Sequence, residues 1–250
     1  MTPSLWFVVP AHGRQALAAI CLHQLRRTCD LLEAEGVRAT AVVIGDDENL
    51  DTAAELGFGT IRRNNHWLSR KFNDGIQLAL DPAHNPHPAD YVVPFGSDDW
   101  ADHRLFLDLP APDTMVGFTR IAVVREDGRE LATRHLNYTG GCGIRIYPAA
   151  LMRPLHYRPA DEDRARACDT SILTNLQRHH TGNMRIEYGW LHPYQIVDWK
   201  SPSEQMNSYD ALTGYKAEQL VDPFEALAEY YPADALDAMR SHYDRQLVAA

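Results

Sequence analysis

The chain has 250 residues, enough for one large domain or two small ones with a substantial core. Apolar residues make up 45% and charged residues 23%, a globular balance that excludes a disordered chain. Acids outnumber Lys and Arg by 34 to 24, giving a formal charge of −10 and no basis for a broad nucleic-acid-binding surface, which needs clustered cations.

Leu5-Trp6-Phe7-Val8-Val9, closed by Pro10, reads as a strand buried on both faces. Leu17, Ile20, Cys21, Leu25, Leu31 and Leu32 follow at helical spacing, and Gly36 offers a stop. Residues 39–44 form a second buried strand ending in Gly45-Asp46-Asp47-Glu48-Asn49. A short helix over 52–56, a strand at 60–62 and a helix over 69–80 come next, and a strand at 90–95 runs into Gly96-Ser97-Asp98-Asp99. This alternation implies parallel pairing, with polar loops at the C-terminal strand ends where open α/β sheets take their ligands.

After residue 110 the rhythm changes. Strand-like segments 114–124 and 130–136 join through Glu126-Asp127-Gly128-Arg129, a hairpin signal. A glycine-rich loop, Tyr138-Thr139-Gly140-Gly141-Cys142-Gly143, precedes a strand at 144–147. A helix over 161–178, strands near 184–188 and 195–199, and two short helices split at Pro232 complete the pattern. The expected fold is one α/β domain, residues 1–202, with a mostly parallel central sheet and a β-hairpin insertion. Residues 203–250 are expected to form a helical C-terminal tail packed on it. Cys21, Cys29, Cys142 and Cys168 lack C-x-x-C spacing and read as reduced thiols. No charged leader with an apolar run opens the chain, and no apolar run nears the roughly 18 residues of a membrane span, so a cytoplasmic location is expected.

The sharpest local signal is Asp98-Asp99 at a buried strand's end. After a turn at Gly96-Ser97, one carboxylate can hold a divalent ion while the other accepts hydrogen bonds from a ribose. Mg²⁺ or Mn²⁺ suits such a set, being oxygen-liganded and often shared with substrate phosphates. The competing account makes Asp99 a cap for a short helical segment near 103–107. Pro10-Ala11-His12-Gly13-Arg14 lies at the first strand's rim, where Gly13 permits close backbone approach or merely a turn. Asp46 and Asp47 either accept from a base or ribose or cap the next helix. Arg70 and Lys71, near a helix start, add charge for a diphosphate, whereas Asn73 and Gly75 serve the site or close helix–sheet packing.

Taken in order, Pro10–Arg14, Asp46-Asp47, Arg70-Lys71-Phe72-Asn73-Asp74-Gly75 and Ser97-Asp98-Asp99 resemble the N-terminal half of glycosyltransferases with the GT-A fold, nearest the family-two type. The resemblance covers roughly residues 5–110 well and 140–200 loosely. It implies a Rossmann-like donor half in residues 1–110 and an acceptor half in 111–202. It also implies a nucleotide-diphosphate sugar donor, Mn²⁺ or Mg²⁺ as cofactor, and a hydroxyl acceptor whose identity is open, modified nucleic acid included. Carried over, Asp47 or Asp46 serves the base, Asp98 the ribose and Asp99 the metal. Pro10, Ala11, His12, Gly13, Arg14, Arg70, Lys71, Asn73 and Ser97 line the donor. Framed as D-x-D ending at Asp98, the motif has Gly96 in place of its first acid. In inverting members a base opens a helix after a glycine-containing segment, and Asp169 fits that place better than Asp161–Asp163.

Further candidates are His192 in the metal shell and Lys200 at the leaving phosphate, or else at the surface. Gly140–Gly143 suggest an acceptor-side wall, and Trp100, Trp190, Tyr194 and Trp199 either a stacking platform or core. A nucleotidyltransferase of similar fold and a non-catalytic nucleotide-sugar-binding module are the rival readings.

Overall fold

The computed structural model describes residues 2–64, 67–135, 143–180, 184–189, 192, 194–200 and 220–249. Four strands, β1 (Ser4–Pro10), β2 (Arg38–Gly45), β3 (Gly59–Arg62) and β4 (Tyr91–Pro94), pair in parallel in the order β3-β2-β1-β4. The sheet continues through β9 (Arg145–Pro148), antiparallel to its neighbours, to β6 (Thr114–Phe118) and β10 (Arg185–Gly189), giving seven strands, mostly parallel. This is the mixed α/β fold expected from the sequence.

Strand alternation explains why the sheet is buried on both faces. Leu5, Phe7 and Val9 of β1, with Ala39, Ala41 and Val43 of β2, join one core with Leu22, Leu25, Cys29 and Leu32 of α1 (Gln15–Ala34). Ala53 of α2 (Asp47–Glu55) joins them. The intervening Val8, Val42 and Ile44 join a second core with Ile76, Ala79 and Leu80 of α3 (Leu68–Leu80). After the short α4 (Ala149–Met152), α5 (Cys168–His180) adds Ile172, Leu173 and Leu176 to it. Gly75 serves this second layer. A Cβ there would lie 2.5 Å from Val8 Cγ1 and 2.7 Å from Ile44 Cδ1, so its lack of a side chain sets the helix–sheet distance.

A second, five-stranded sheet runs in the order β12-β8-β7-β11-β5, with β5 Asp99–Ala101, β7 Arg120–Val124, β8 Leu131–His135, β11 Ile196–Trp199 and β12 Leu220–Val221. Trp100, Val124, Val197 and Trp199 pack there against Leu17 and Cys21 of α1. Phe224 and Leu227 of α6 (Pro223–Leu227) and Met239 and Tyr243 of α7 (Ala233–Ala249) close the same core. No helix among the described residues is long and apolar enough to cross a membrane.

Four element assignments change. The run 114–124 is two strands, because Thr114–Phe118 pairs with β9 and β10 whereas Arg120–Val124 turns into the other sheet beside β8 and β11. The helix expected from 161 begins at Cys168. Ahead of it, Ala160 N bonds to Asn73 Oδ1, Arg164 N to Ser69 Oγ and Asp161 N to Ser171 Oγ, which holds residues 160–164 in an irregular brace. The second helix starts at Asp47, five residues early, and Asp99 opens a strand where a loop was expected. The hairpin through Gly128, at φ +69°, joins β7 to β8 as read. Cys21, Cys29 and Cys168 are free and buried. Cys142, the loop glycines Gly140 and Gly141, Trp190 and residues 203–219 of the expected tail lie outside the described residues.

Candidate functional site

The site begins where β4 stops. Gly96 and Ser97 turn the chain, and Asp99 Oδ2 folds back to accept from Gly96 N at 2.9 Å. A Cβ on Gly96 would stand 2.5 Å from that oxygen, so glycine is what admits the carboxylate. Strand β11 runs antiparallel to β5 and sets Asp198 directly opposite Asp99, while Trp199 N donates to Asp98 O at 2.9 Å. One carboxylate oxygen each from Asp98, Asp99 and Asp198 then lies within 4.8 Å of the others.

Like charges facing across a strand pair repel, and two cations answer them. Arg14 Nη1 donates to Asp98 Oδ2 at 2.6 Å, and Nη2 reaches toward Ser97 Oγ at 3.5 Å. Lys200 Nζ stands 2.6 Å from Asp198 Oδ2 in a pair nearly closed to solvent. The surface lysine expected at this strand end is in fact buried. Three carboxylates against two cations still leave an excess negative charge. Burial, with Asp198 and Asp98 alongside, pushes the Asp99 carboxyl well above the ordinary range, Lys200 opposing. Burial pushes Asp198 up to about 6, the attraction of Lys200 opposing and Asp98 adding to the rise.

One atom shows what the cluster is suited to hold. Asp198 Oδ1 is buried without a hydrogen-bond partner, a costly condition for a carboxylate oxygen. An oxygen-liganded divalent ion at the cluster would satisfy it and relieve the repulsion, and three carboxylates are the hard donor set Mg²⁺ and Mn²⁺ favour. The residues present fit such an ion.

Beside the cluster, the loop after β1 reverses through two left-handed residues, Gly13 at φ 56° and Arg14 at φ 45°. Glycine adopts this region freely and arginine does not. Asp46 ties the loop to the end of β2: His12 Nδ1 lies 3.0 Å and Gly13 N 3.3 Å from Oδ2, and Asn49 Nδ2 donates to Oδ1 at 2.8 Å. Burial opposes its charge, but the donors from Asn49, Gly13 and His12 outweigh it and hold its carboxyl below the usual value. Pro10 and Ala11 form the loop's buried root, and Lys71, itself buried, donates to Ala11 O at 2.9 Å. That burial lowers the Lys71 pKa, with Asp46 opposing.

The α3 residues are less available than their order suggested. Asn73 is 0% exposed and brackets Ala160 through its N–H and carbonyl, with a third bond to Glu162. Arg70 is exposed and pairs with Asp163 at 2.7 Å. The side chain of Asp47 lies outside the described atoms. The helical cap is Asp102, not Asp99: its carboxylate accepts from Arg104 N. Trp100 and Trp199 are core, ring to ring at 4.9 Å.

Asp169 occupies the first turn of α5. Arg145, 1% exposed, donates to Asp169 O at 2.6 Å and to Oδ2 at 3.2 Å. Continuing the β4–β9 register, with Val92 opposite Tyr147, sets Arg145 level with Pro94 at the end of β4. His192 is not brought to the acid cluster; its ring stacks on Tyr230, whose hydroxyl meets Nδ1. Sequence reasoning missed Asp198 and Arg145. Each is a charged residue within an otherwise apolar strand, and that is the signal that would have found them.

No protein-family model and no curated protein matches the sequence. Similar solved structures include mannosyl-3-phosphoglycerate synthase from Rubrobacter xylanophilus, at TM-score 0.49 and 12% identity over 98% of this chain and 74% of that one. Another is glucosyl-3-phosphoglycerate synthase from Mycobacterium tuberculosis in complex with Mn²⁺, uridine-diphosphate-glucose and phosphoglyceric acid, at TM-score 0.45 and 12% identity over 80% and 73%. A nucleotidyl transferase from Methanothermobacter thermautotroptrophicus gives TM-score 0.41 and 12% identity over 97% and 98%.

Proposed function

We propose that the chain is a metal-dependent glycosyltransferase that moves a sugar from a nucleotide-diphosphate donor to a hydroxyl acceptor with inversion. The observation that supports this reading is the three-carboxylate cluster with its unpartnered Asp198 oxygen, at the ligand-binding end of the parallel sheet. A divalent ion bound there would supply charge neutralisation for the departing nucleoside diphosphate.

The protein's own groups take the remaining roles. Asp98, Asp99 and Asp198 hold the cation, Asp98 being shared with the donor ribose. The His12–Arg14 loop, fastened by Asp46, walls the nucleotide, with Asp46 or Asp47 at the base. Asp169 takes the acceptor hydroxyl's proton as that oxygen bonds to the anomeric carbon and the bond from that carbon to the diphosphate oxygen breaks. Arg145 fixes the direction of the Asp169 carboxylate. His192, engaged with Tyr230, is left out of the metal shell.

Thermal unfolding with a panel of nucleotide-sugars, with and without Mn²⁺, tests the reading. A donor at about 100 times its dissociation constant stabilises by about 2.7 kcal/mol, and that gain should require Mn²⁺. A panel with no Mn²⁺-dependent stabilisation would contradict it. Nucleoside diphosphate as the released product separates sugar transfer from nucleotidyl transfer, which releases pyrophosphate.

A further inference from the structure

Two protein cations sit on the acid cluster, and they are not equivalent. Lys200 leaves the end of β11 with Nζ against Asp198, its backbone N–H bonded to Val124 O and its carbonyl accepting from Tyr243 Oη at 2.6 Å. Its side chain is 7% exposed, so it is built into the core. Arg14 reaches the cluster from the β1–α1 loop, from a left-handed backbone that arginine adopts at a cost, and its side chain is 16% exposed.

Charge decides which of the two gives way. Even with all three ionised, the carboxylates exceed the two cations by only one negative charge, so a divalent ion added to the intact set would overcompensate it. Within a few ångströms of one another, an incoming cation and the guanidinium repel strongly in a half-buried site. They also compete for the same carboxylate, Asp98. Lys200 is anchored by its strand, whereas Arg14 is a long side chain on a loop rim. Arg14 is therefore the group that yields.

We infer that Arg14 is a resident counter-ion of the cluster, displaced from Asp98 when a divalent cation binds and then presented to a phosphate of the donor. This rests on the metal site proposed above and adds a coupling to it. Metal and Arg14 oppose each other at Asp98, and a phosphate-bearing ligand relieves the opposition by accepting Arg14. By linkage, removing the guanidinium strengthens metal binding as much as the guanidinium had weakened it.

The test is Mn²⁺ binding, without any donor, to wild type, Arg14→Gln and Arg14→Lys, read by electron paramagnetic resonance of free Mn²⁺. Arg14→Gln is expected to bind about tenfold tighter, the scale of one nearby charge in a partly screened site, and Arg14→Lys to stay near wild type. Equal or weaker binding by a folded Arg14→Gln protein, where wild type does bind, overturns the inference and leaves the metal site standing. No binding by any of the three overturns both. A wild-type measurement covers a variant that fails to fold. In a Mg²⁺ titration followed by arginine side-chain ¹⁵N resonances, the Arg14 signal, identified by its loss in Arg14→Lys, should shift as Mg²⁺ saturates. A signal unmoved at saturation overturns the inference.

Discussion

Arg145 grips Asp169 twice, through the main-chain carbonyl at 2.6 Å and the carboxylate Oδ2 at 3.2 Å. A buried guanidinium thereby fixes both the start of α5 and the direction of the one acid assigned to the acceptor's proton. Asp169→Asn keeps an oxygen for Arg145 and removes the base. Turnover should fall by about 10²–10⁴-fold, with donor affinity by calorimetry unchanged. Near-normal turnover would move the base elsewhere.

Two glycines should behave in opposite ways. Gly75→Ala drives a methyl against Val8 and Ile44 in the core and should cost about 1–3 kcal/mol in urea unfolding. Gly96→Ala drives its methyl against the Asp99 carboxylate. It should weaken Mn²⁺ binding with much less effect on the unfolding midpoint.

The acid limb of stability should report Asp102. Burial opposes its charge, but side-chain and backbone bonds from Arg104, with Gln195 adding, hold its pKa below the usual value. Its stabilisation is therefore complete above the unfolded carboxylate's pKa and lost as pH falls through the lower folded value. Arg104 is half exposed, which screens the pair, so Asp102→Asn should cost about 1–2 kcal/mol at pH 7. That deficit should shrink steadily below about pH 4 in paired urea titrations.

Asp99 is the opposite case. Its charge is disfavoured by burial and by Asp198 and Asp98, and its folded pKa is raised, so its ionisation destabilises the fold as pH rises. Asp99→Asn should therefore stabilise the metal-free protein at pH 7, read as a raised melting temperature. A lowered melting temperature would contradict the electrostatic account of the cluster.

Much of the fold was legible because β1, β2 and β4 are apolar at nearly every position, the mark of a sheet covered on both sides. Gly128 and its flanking polar residues marked the hairpin for an equally local reason. The site was half legible. Asp98-Asp99 stood out as adjacent acids, but Asp198 is about a hundred residues away and meets Asp99 only through the β5–β11 register. Nothing local fixes that pairing. Asn73 is a similar case. Order along the chain put Asn73 at a ligand, whereas a long-range bracket on Ala160 consumes its amide. The break at Thr119 was hidden because Thr114–Phe118 and Arg120–Val124 are both good strands, and only their partners differ.

The central claim is that Asp98, Asp99 and Asp198 form one divalent-cation site, and calorimetric titration of Mn²⁺ into wild type, Asp99→Asn and Asp198→Asn tests it most directly. Wild type should bind a single ion per chain, and each variant should bind it at least about tenfold more weakly, with folds intact by circular dichroism. Wild-type affinity retained in both variants, or no binding by the wild type, would contradict it.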